Sequence, residues 1–105
     1  RQIRQSQGLR GRVRAKVTGR YSLEIEEEVS KTFHKLLKKD RVQLEALNKK
    51  ISQILTDPYQ SKPLKHPLEG LRRVHIGPFV LIYRVTENPP TIQIIKYAHH
   101  DEAYL

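Results

Sequence analysis

Apolar positions along this chain alternate between two periods. Tyr21-Ser22-Leu23-Glu24-Ile25 repeats every second residue, as a half-buried strand does. Val29, Phe33, Leu36 and Leu37 then recur at helical spacing, and so do Leu44, Leu47, Ile51, Ile54 and Leu55. Glu26, Glu27 and Glu28 open the first helix and Lys35, Lys38 and Lys39 close it, an arrangement that complements the helix dipole. Asp40 is the expected N-cap of the second helix, and Asp57-Pro58 its end. Tyr59–Gly70 reads as a loop punctuated by Pro63 and Pro67. Three strands follow, Leu71–Ile76, Phe79–Thr86 and Thr91–Tyr97, separated by Gly77-Pro78 and by Glu87-Asn88-Pro89-Pro90. Connections this short predict antiparallel hairpins. The order β-α-α-β-β-β predicts an α+β fold, an antiparallel sheet with a helical hairpin packed on one face.

Side chains alternate across a strand, so this pattern also sorts the polar residues. Val74 and Ile76 are expected to face the helices, and Arg73 and His75 to stand on the uncovered face. Arg72 shares the parity of Val74 but sits near the strand end, where it can escape. His99 and His100 leave the last strand just after Tyr97, so at least one is expected to reach the face of His75. Tyr83 and Tyr97 read as packing residues.

Composition narrows the chemistry. At 105 residues the chain is one domain, or one small domain with a tail, and its core is small enough for a partner to matter to stability. It has no Cys, which excludes disulfides, thiol catalysis and cysteine-ligated metal. No apolar run approaches the ~18 residues of a membrane span, and none resembles a signal peptide, so a cytoplasmic location is expected. The chain begins at Arg1 and contains no Met, so the native start is expected to lie upstream.

The net charge of +9 is unevenly placed. Seven of the 20 basic residues (Arg1, Arg4, Arg10, Arg12, Arg14, Lys16, Arg20) precede the first acidic residue, Glu24, and the remaining 13 face 11 Asp and Glu. Residues 1–20 therefore read as a basic, mobile or conditionally ordered arm ahead of a folded domain over residues 21–105. Such an arm either contacts nucleic acid, with a strong salt dependence, or is a passive leader.

The stretch from Pro67 to Val85, Pro67-Leu68-Glu69-Gly70-Leu71-Arg72-Arg73-Val74-His75-Ile76-Gly77-Pro78-Phe79-Val80-Leu81-Ile82-Tyr83-Arg84-Val85, resembles the RelE/ParE toxin superfamily. That family shows a leucine-rich loop, a basic strand of the form R-V-x-I-G, and a strand ending I-Y-x-V. The tail Ala98-His99-His100-Asp101-Glu102-Ala103-Tyr104 resembles the family ending G-H-R-x-x-x-Y, with His100 where arginine is common. The similarity runs from about Tyr21 to Leu105. It implies a toxin of a type II toxin–antitoxin system, with an antitoxin as partner. RelE-like members cleave messenger RNA in the ribosomal decoding site, whereas ParE-like members inhibit DNA gyrase. The resemblance departs at Val80, where RelE-like enzymes often carry an arginine that clamps phosphate.

Cleavage of RNA by its own 2′-hydroxyl needs a base, cations for the phosphorane and an acid for the leaving oxygen. Histidine serves either proton role near neutral pH, and arginine's planar fork suits phosphate. Carried over by position, the resemblance makes Arg73, His75, His100 and Tyr104 the expected catalytic set. His100 is general acid or base with His75 as counterpart, Arg73 stabilises charge, and Tyr104 orients or stacks on a base. Arg72, His99, His66 and Lys65 are expected to support RNA binding. The alternatives are a ParE-like gyrase inhibitor, or a degenerate toxin acting through antitoxin binding and repression of its own operon. Taken alone, His75 reads as a strand histidine paired with a carboxylate, and Arg73 as a solvated strand residue.

No cofactor is expected. A metal site at His99-His100 is not expected, because adjacent side chains in extended backbone diverge. No H-E-x-x-H spacing, nucleophile elbow or glycine-rich phosphate loop is present.

Overall fold

The computed structural model describes residues 12–15 and 20–103. The elements run β1 (Arg12–Ala15), β2 (Ser22–Glu26), α1 (Glu27–Lys39), α2 (Arg41–Thr56), β3 (Lys62–Pro63), β4 (Leu71–Ile76), β5 (Phe79–Glu87) and β6 (Pro90–His99). They form one sheet in the order β1-β2-β6-β5-β4-β3. The expected antiparallel hairpins hold for β4–β5 and β5–β6. β2 instead pairs with β6 in parallel, which makes the sheet mixed. A helical crossover between two strands permits this, because the chain crosses the sheet face before it returns.

Arg12–Ala15 falls within the segment expected to be mobile or conditionally ordered, yet it pairs antiparallel with β2. Its backbone completes the hydrogen bonds of what would otherwise be the edge of the sheet. The rest of the expected arm, residues 1–11 and 16–19, lies outside the described residues.

The helical hairpin turns on a single residue. The Asp40 backbone N–H donates to the Leu36 carbonyl at 2.8 Å and closes α1. Its carboxylate then accepts from the Gln43 backbone N–H at 3.1 Å and caps α2, as expected. Val29 of α1 and Leu47, Ile51 and Ile54 of α2 are buried against Tyr21, Leu23, Ile25, Ile76, Leu81, Tyr83, Ile92, Ile94 and Tyr97. Leu37, expected on the α1 stripe, is 43% exposed, because Leu36 takes the inward position one residue earlier.

The opposite face carries a second, smaller apolar cluster. Val80, Ile82 and Ala103 are buried there, with Leu64, Leu71, Ile95 and Ala98 packed around them. It is not the wholly uncovered face that strand parity alone predicts. A register shift between Ile82 and Tyr83 leaves Ile95 as an extra residue on β6, and its side chain joins this second cluster.

The β4–β5 connection is the two-residue turn Gly77-Pro78, with Ile76 opposite Phe79. Gly77 has φ +58°, which fits the first central position of a II′-type hairpin turn, and the following Pro supplies the negative φ needed next. No helix among the described residues is long and apolar enough to cross a membrane.

Candidate functional site

Strand register places the basic residues of the second face in cross-strand rows. Arg73 of β4 lies opposite Ile82 of β5, and Ile82 lies opposite Lys96 of β6. Arg73 and Lys96 therefore flank one apolar residue, about 9–10 Å apart across two strand spacings. In the next row toward the Gly77-Pro78 turn, His75 lies opposite Val80 and Val80 opposite Ala98. Arg84, opposite Gln93, adds a further cation on the same face, and its guanidinium donates to Gln93 Oε1 at 3.4 Å. His75 is exposed and Arg73 is half-buried. Lys96 and Arg84 carry the parity of Arg73 but were not expected at the site. The alternation of β5 and β6 contains that signal, blurred on β6 by the extra residue.

The C-terminal corner brings His99 and His100 to the same end of the sheet, but His99 lies opposite Phe79 and so takes the helix-side face and not the face of His75. The His100 backbone N–H donates to the Pro78 carbonyl at 2.9 Å, which ties the end of β6 to the β4–β5 turn. His75 lies two residues before Gly77, so His75 and His100 flank one turn. The Phe79 ring stacks on Tyr97 with centroids 5.2 Å apart, and His99 packs edge-on against Phe79 at 5.7 Å. The His99 and His100 rings lie 4.5 Å apart and only 31° from parallel. They do not diverge as expected, because the chain turns at His100 instead of continuing the strand.

Asp101, which sequence reasoning did not single out, partners both rings. Its carboxylate lies 3.0 Å from His100 Nδ1 and 3.6 Å from His99 Nδ1, and its backbone N–H points at His99 Nδ1 at 3.2 Å. A carboxylate directly after two histidines was the available signal. A ring whose Nδ1 donates to a carboxylate leaves its other nitrogen open for proton transfer.

The other expected RNA-binding residues are dispersed. Arg72 stands on the helix side, opposite Tyr83, and does not share the face of Arg73. Its guanidinium donates to the Tyr59 and Ser61 carbonyls and lies 5.0 Å from the centre of the Tyr59 ring. It pins the loop after α2, and this contact takes it away from the basic face. Lys65 and His66 are exposed on the turn before β4, and His66 pairs with Glu69 at 2.9 Å. Tyr104 lies outside the described residues. Its neighbour Ala103 is buried against Val80 and Ile82.

Val80 is completely buried, so the residue that departs from the family pattern belongs to a packed apolar layer. A charge introduced there has to be desolvated, at a cost of several kcal/mol. Val80→Arg is therefore expected to lower the urea midpoint markedly and not to add a phosphate clamp. An unchanged midpoint with tighter RNA binding would show that the layer opens.

A separate polar network closes the far end of the sheet. Glu87 accepts hydrogen bonds from the Tyr21 hydroxyl at 2.5 Å and from the Tyr59 hydroxyl, and pairs with Arg20 at 2.9 Å. These hydrogen bonds, Tyr21's first, hold the Glu87 carboxyl below its ordinary value, and push the Tyr59 phenol up to about 12. For Glu87 the stabilisation is present above the unfolded pKa and is lost as pH falls through the lower folded value. For Tyr59 it is present below the ordinary phenol range and is lost as pH rises toward the raised value. Glu87→Gln is expected to flatten both limbs of a stability–pH curve followed by circular dichroism. Limbs that coincide with wild type would show that Glu87 does not set the pH dependence of stability.

The folded part matches the model of the ParE toxin of the type II toxin–antitoxin system over residues 20–104. A protein from Methanocaldococcus jannaschii, assigned by name as toxin RelE4, is 40% identical over 85 residues, covering 80% of this chain and 90% of its own. A protein from Methanosarcina mazei with no assigned function is also 40% identical over 85 residues, covering 80% of this chain and 99% of its own. The fold is shared with the RelBE2 toxin–antitoxin complex of Mycobacterium tuberculosis, at TM-score 0.64 and 22% identity over 77% of this chain and 99% of that one. It is also shared with a YoeB/ParE toxin from Agrobacterium tumefaciens, at TM-score 0.62 and 20% identity over 68% of this chain and 88% of that one. The chain belongs to the ParE toxin family of type II toxin–antitoxin systems, within the RelE/ParE superfamily.

Proposed function

We propose that this toxin is a metal-independent, ribosome-dependent endoribonuclease that cuts messenger RNA by attack of the 2′-hydroxyl on the adjacent phosphate. The observation that carries this reading is the pairing of rows at one end of the second face. A cationic row, Arg73 and Lys96 about Ile82, lies next to the His75 row, and His100 sits beside the same Gly77-Pro78 turn. Arginine and lysine stabilise the phosphorane charge. His100, with Asp101 on its Nδ1, and the exposed His75 supply the two proton transfers. Tyr104 completes the set by orienting or stacking on a base.

The partner follows from the family. An antitoxin that covers the basic face with acidic side chains neutralises the charges that bind RNA. The basic residues of the arm, Arg1 to Arg20, add salt-dependent contacts to ribosomal or messenger RNA. Cytoplasmic action is part of the same reading.

The buried Val80 favours a second reading, gyrase inhibition or antitoxin binding alone, because it puts an apolar layer where a phosphate clamp is common. Expression in a host separates the two. Cleavage predicts cut transcripts and arrested translation with intact DNA. Gyrase inhibition predicts DNA breaks that persist in His75→Ala and His100→Ala.

A further inference from the structure

The turn that ends β6 sets His99 beside the His100–Asp101 pair of the cleavage reading, a three-donor set that family membership does not require. Among the described residues, His99, His100 and Asp101 form a trio of metal-ligating side chains whose donor atoms all lie within 4.8 Å of one another. Two donors bound at about 2.0–2.1 Å to a tetrahedral ion sit roughly 3.3 Å apart. Asp101 Oδ1 lies 3.0 Å from His100 Nδ1 and its Oδ2 lies 3.6 Å from His99 Nδ1, so each ring has a carboxylate oxygen near that spacing. The trio is held before any ion arrives. Phe79 packs against His99, the Pro78 carbonyl holds the His100 backbone N–H, and the His99 carbonyl accepts from the Glu102 backbone N–H at 2.8 Å. All three side chains reach solvent, so an ion has an entry path and water can complete its coordination.

We propose that His99, His100 and Asp101 form a three-donor, solvent-open site for a divalent transition ion of the zinc, nickel or copper type. Two imidazoles and one carboxylate suit such borderline ions, whereas magnesium and calcium prefer all-oxygen sets. The chain carries an internal control. His66 and Glu69 form another exposed histidine–carboxylate pair at 2.9 Å that, among the described residues, belongs to no such trio. An ion at the trio takes a lone pair from His100 and so opposes proton transfer by that ring. That consequence rests on the cleavage reading, whereas ion binding does not.

The test is calorimetric titration of the full chain with Zn²⁺ alone, at neutral pH in a non-chelating buffer, with Mg²⁺ as the comparison ion. Wild type is expected to bind one Zn²⁺ saturably and to show no heat with Mg²⁺. His99→Ala and Asp101→Asn are each expected to weaken Zn²⁺ by about tenfold or more, while His66→Ala leaves it unchanged. Asp101 is exposed, so its variant reports the site even if loss of the His99 ring disturbs the packing against Phe79. No saturable binding at millimolar Zn²⁺ would overturn the proposal, as would equal affinity in Asp101→Asn and wild type, or loss of binding in His66→Ala. Messenger-RNA cleavage is not a readout here, so failure of the metal site and failure of the nuclease reading remain distinguishable.

Discussion

Replacing His100 with Ala is expected to slow cleavage of ribosome-bound messenger RNA by roughly 10²–10⁴-fold, the range typical for loss of a proton-transfer group. His75→Ala is expected to have an effect of the same order, and the double variant to lose less than the product of the two, because the residues serve one transition state. Neither change should unfold the protein, since both side chains are exposed. Single-turnover rates on programmed ribosomes, paired with urea midpoints, separate chemistry from stability. A stable His100→Ala protein that cuts at the wild-type rate would assign proton transfer elsewhere. Arg73→Ala should weaken transition-state stabilisation and leave both histidines in place. Arg72→Ala, by contrast, should loosen the loop after α2, because its guanidinium bonds to the Tyr59 and Ser61 carbonyls.

The largest effect on stability is expected at Tyr83. Its ring is completely buried in the helix-side core, and its hydroxyl donates to the Pro58 carbonyl at 2.8 Å while accepting from Ser61. Burial pushes its phenol above the ordinary value, so the neutral form holds this network together. Tyr83→Ala removes both the packing and the anchor of the loop after α2, and is expected to cost about 3–5 kcal/mol. Tyr83→Phe keeps the ring and leaves a buried carbonyl without its donor, at a cost of about 1–3 kcal/mol. Urea unfolding of the two variants measures both. Equal losses would show that the hydroxyl, not the ring, carries the stability of this region. A wild-type midpoint in Tyr83→Ala would show that the core repacks around the space.

Much of this fold was legible because its elements obey their own periods. The stripe Leu44, Leu47, Ile51, Ile54 and Leu55 has a single helical solution, and the Leu47, Ile51 and Ile54 side chains are indeed buried. Asp40 and Gly77-Pro78 carry their roles in their side-chain and backbone chemistry. β1 was not legible, since four residues reading Arg-Val-Arg-Ala inside a basic run are too few to establish a period of two. The parallel pairing of β2 with β6 depends on how the helical hairpin crosses the sheet, which no local pattern records.

The candidate site was legible along strands and illegible across them. Parity along β4 placed Arg73 and His75 on one face, and their register opposite Ile82 and Val80 agrees with that. Lys96 joins them only through the register of β5 against β6 and the extra residue at Ile95, both of which are tertiary facts. Arg72 does not escape its parity at the strand end, because its guanidinium bonds to the Tyr59 and Ser61 carbonyls on the helix side, a contact no local pattern records. Asp101 escaped notice because its partners, His99 and His100, were expected to diverge. The turn that brings them together is set by the contact between the His100 backbone and Pro78.

The most direct measurement maps the 5′ ends of messenger RNA on ribosomes exposed to the toxin in the presence of a chelator, for wild type and for His75→Ala/His100→Ala. Attack by the 2′-hydroxyl leaves a 5′-hydroxyl on the downstream fragment. New 5′-hydroxyl ends within the decoded codon are expected for wild type, unaffected by the chelator and absent with the double variant. Intact transcripts with wild-type toxin, or the same ends with both histidines removed, would contradict it.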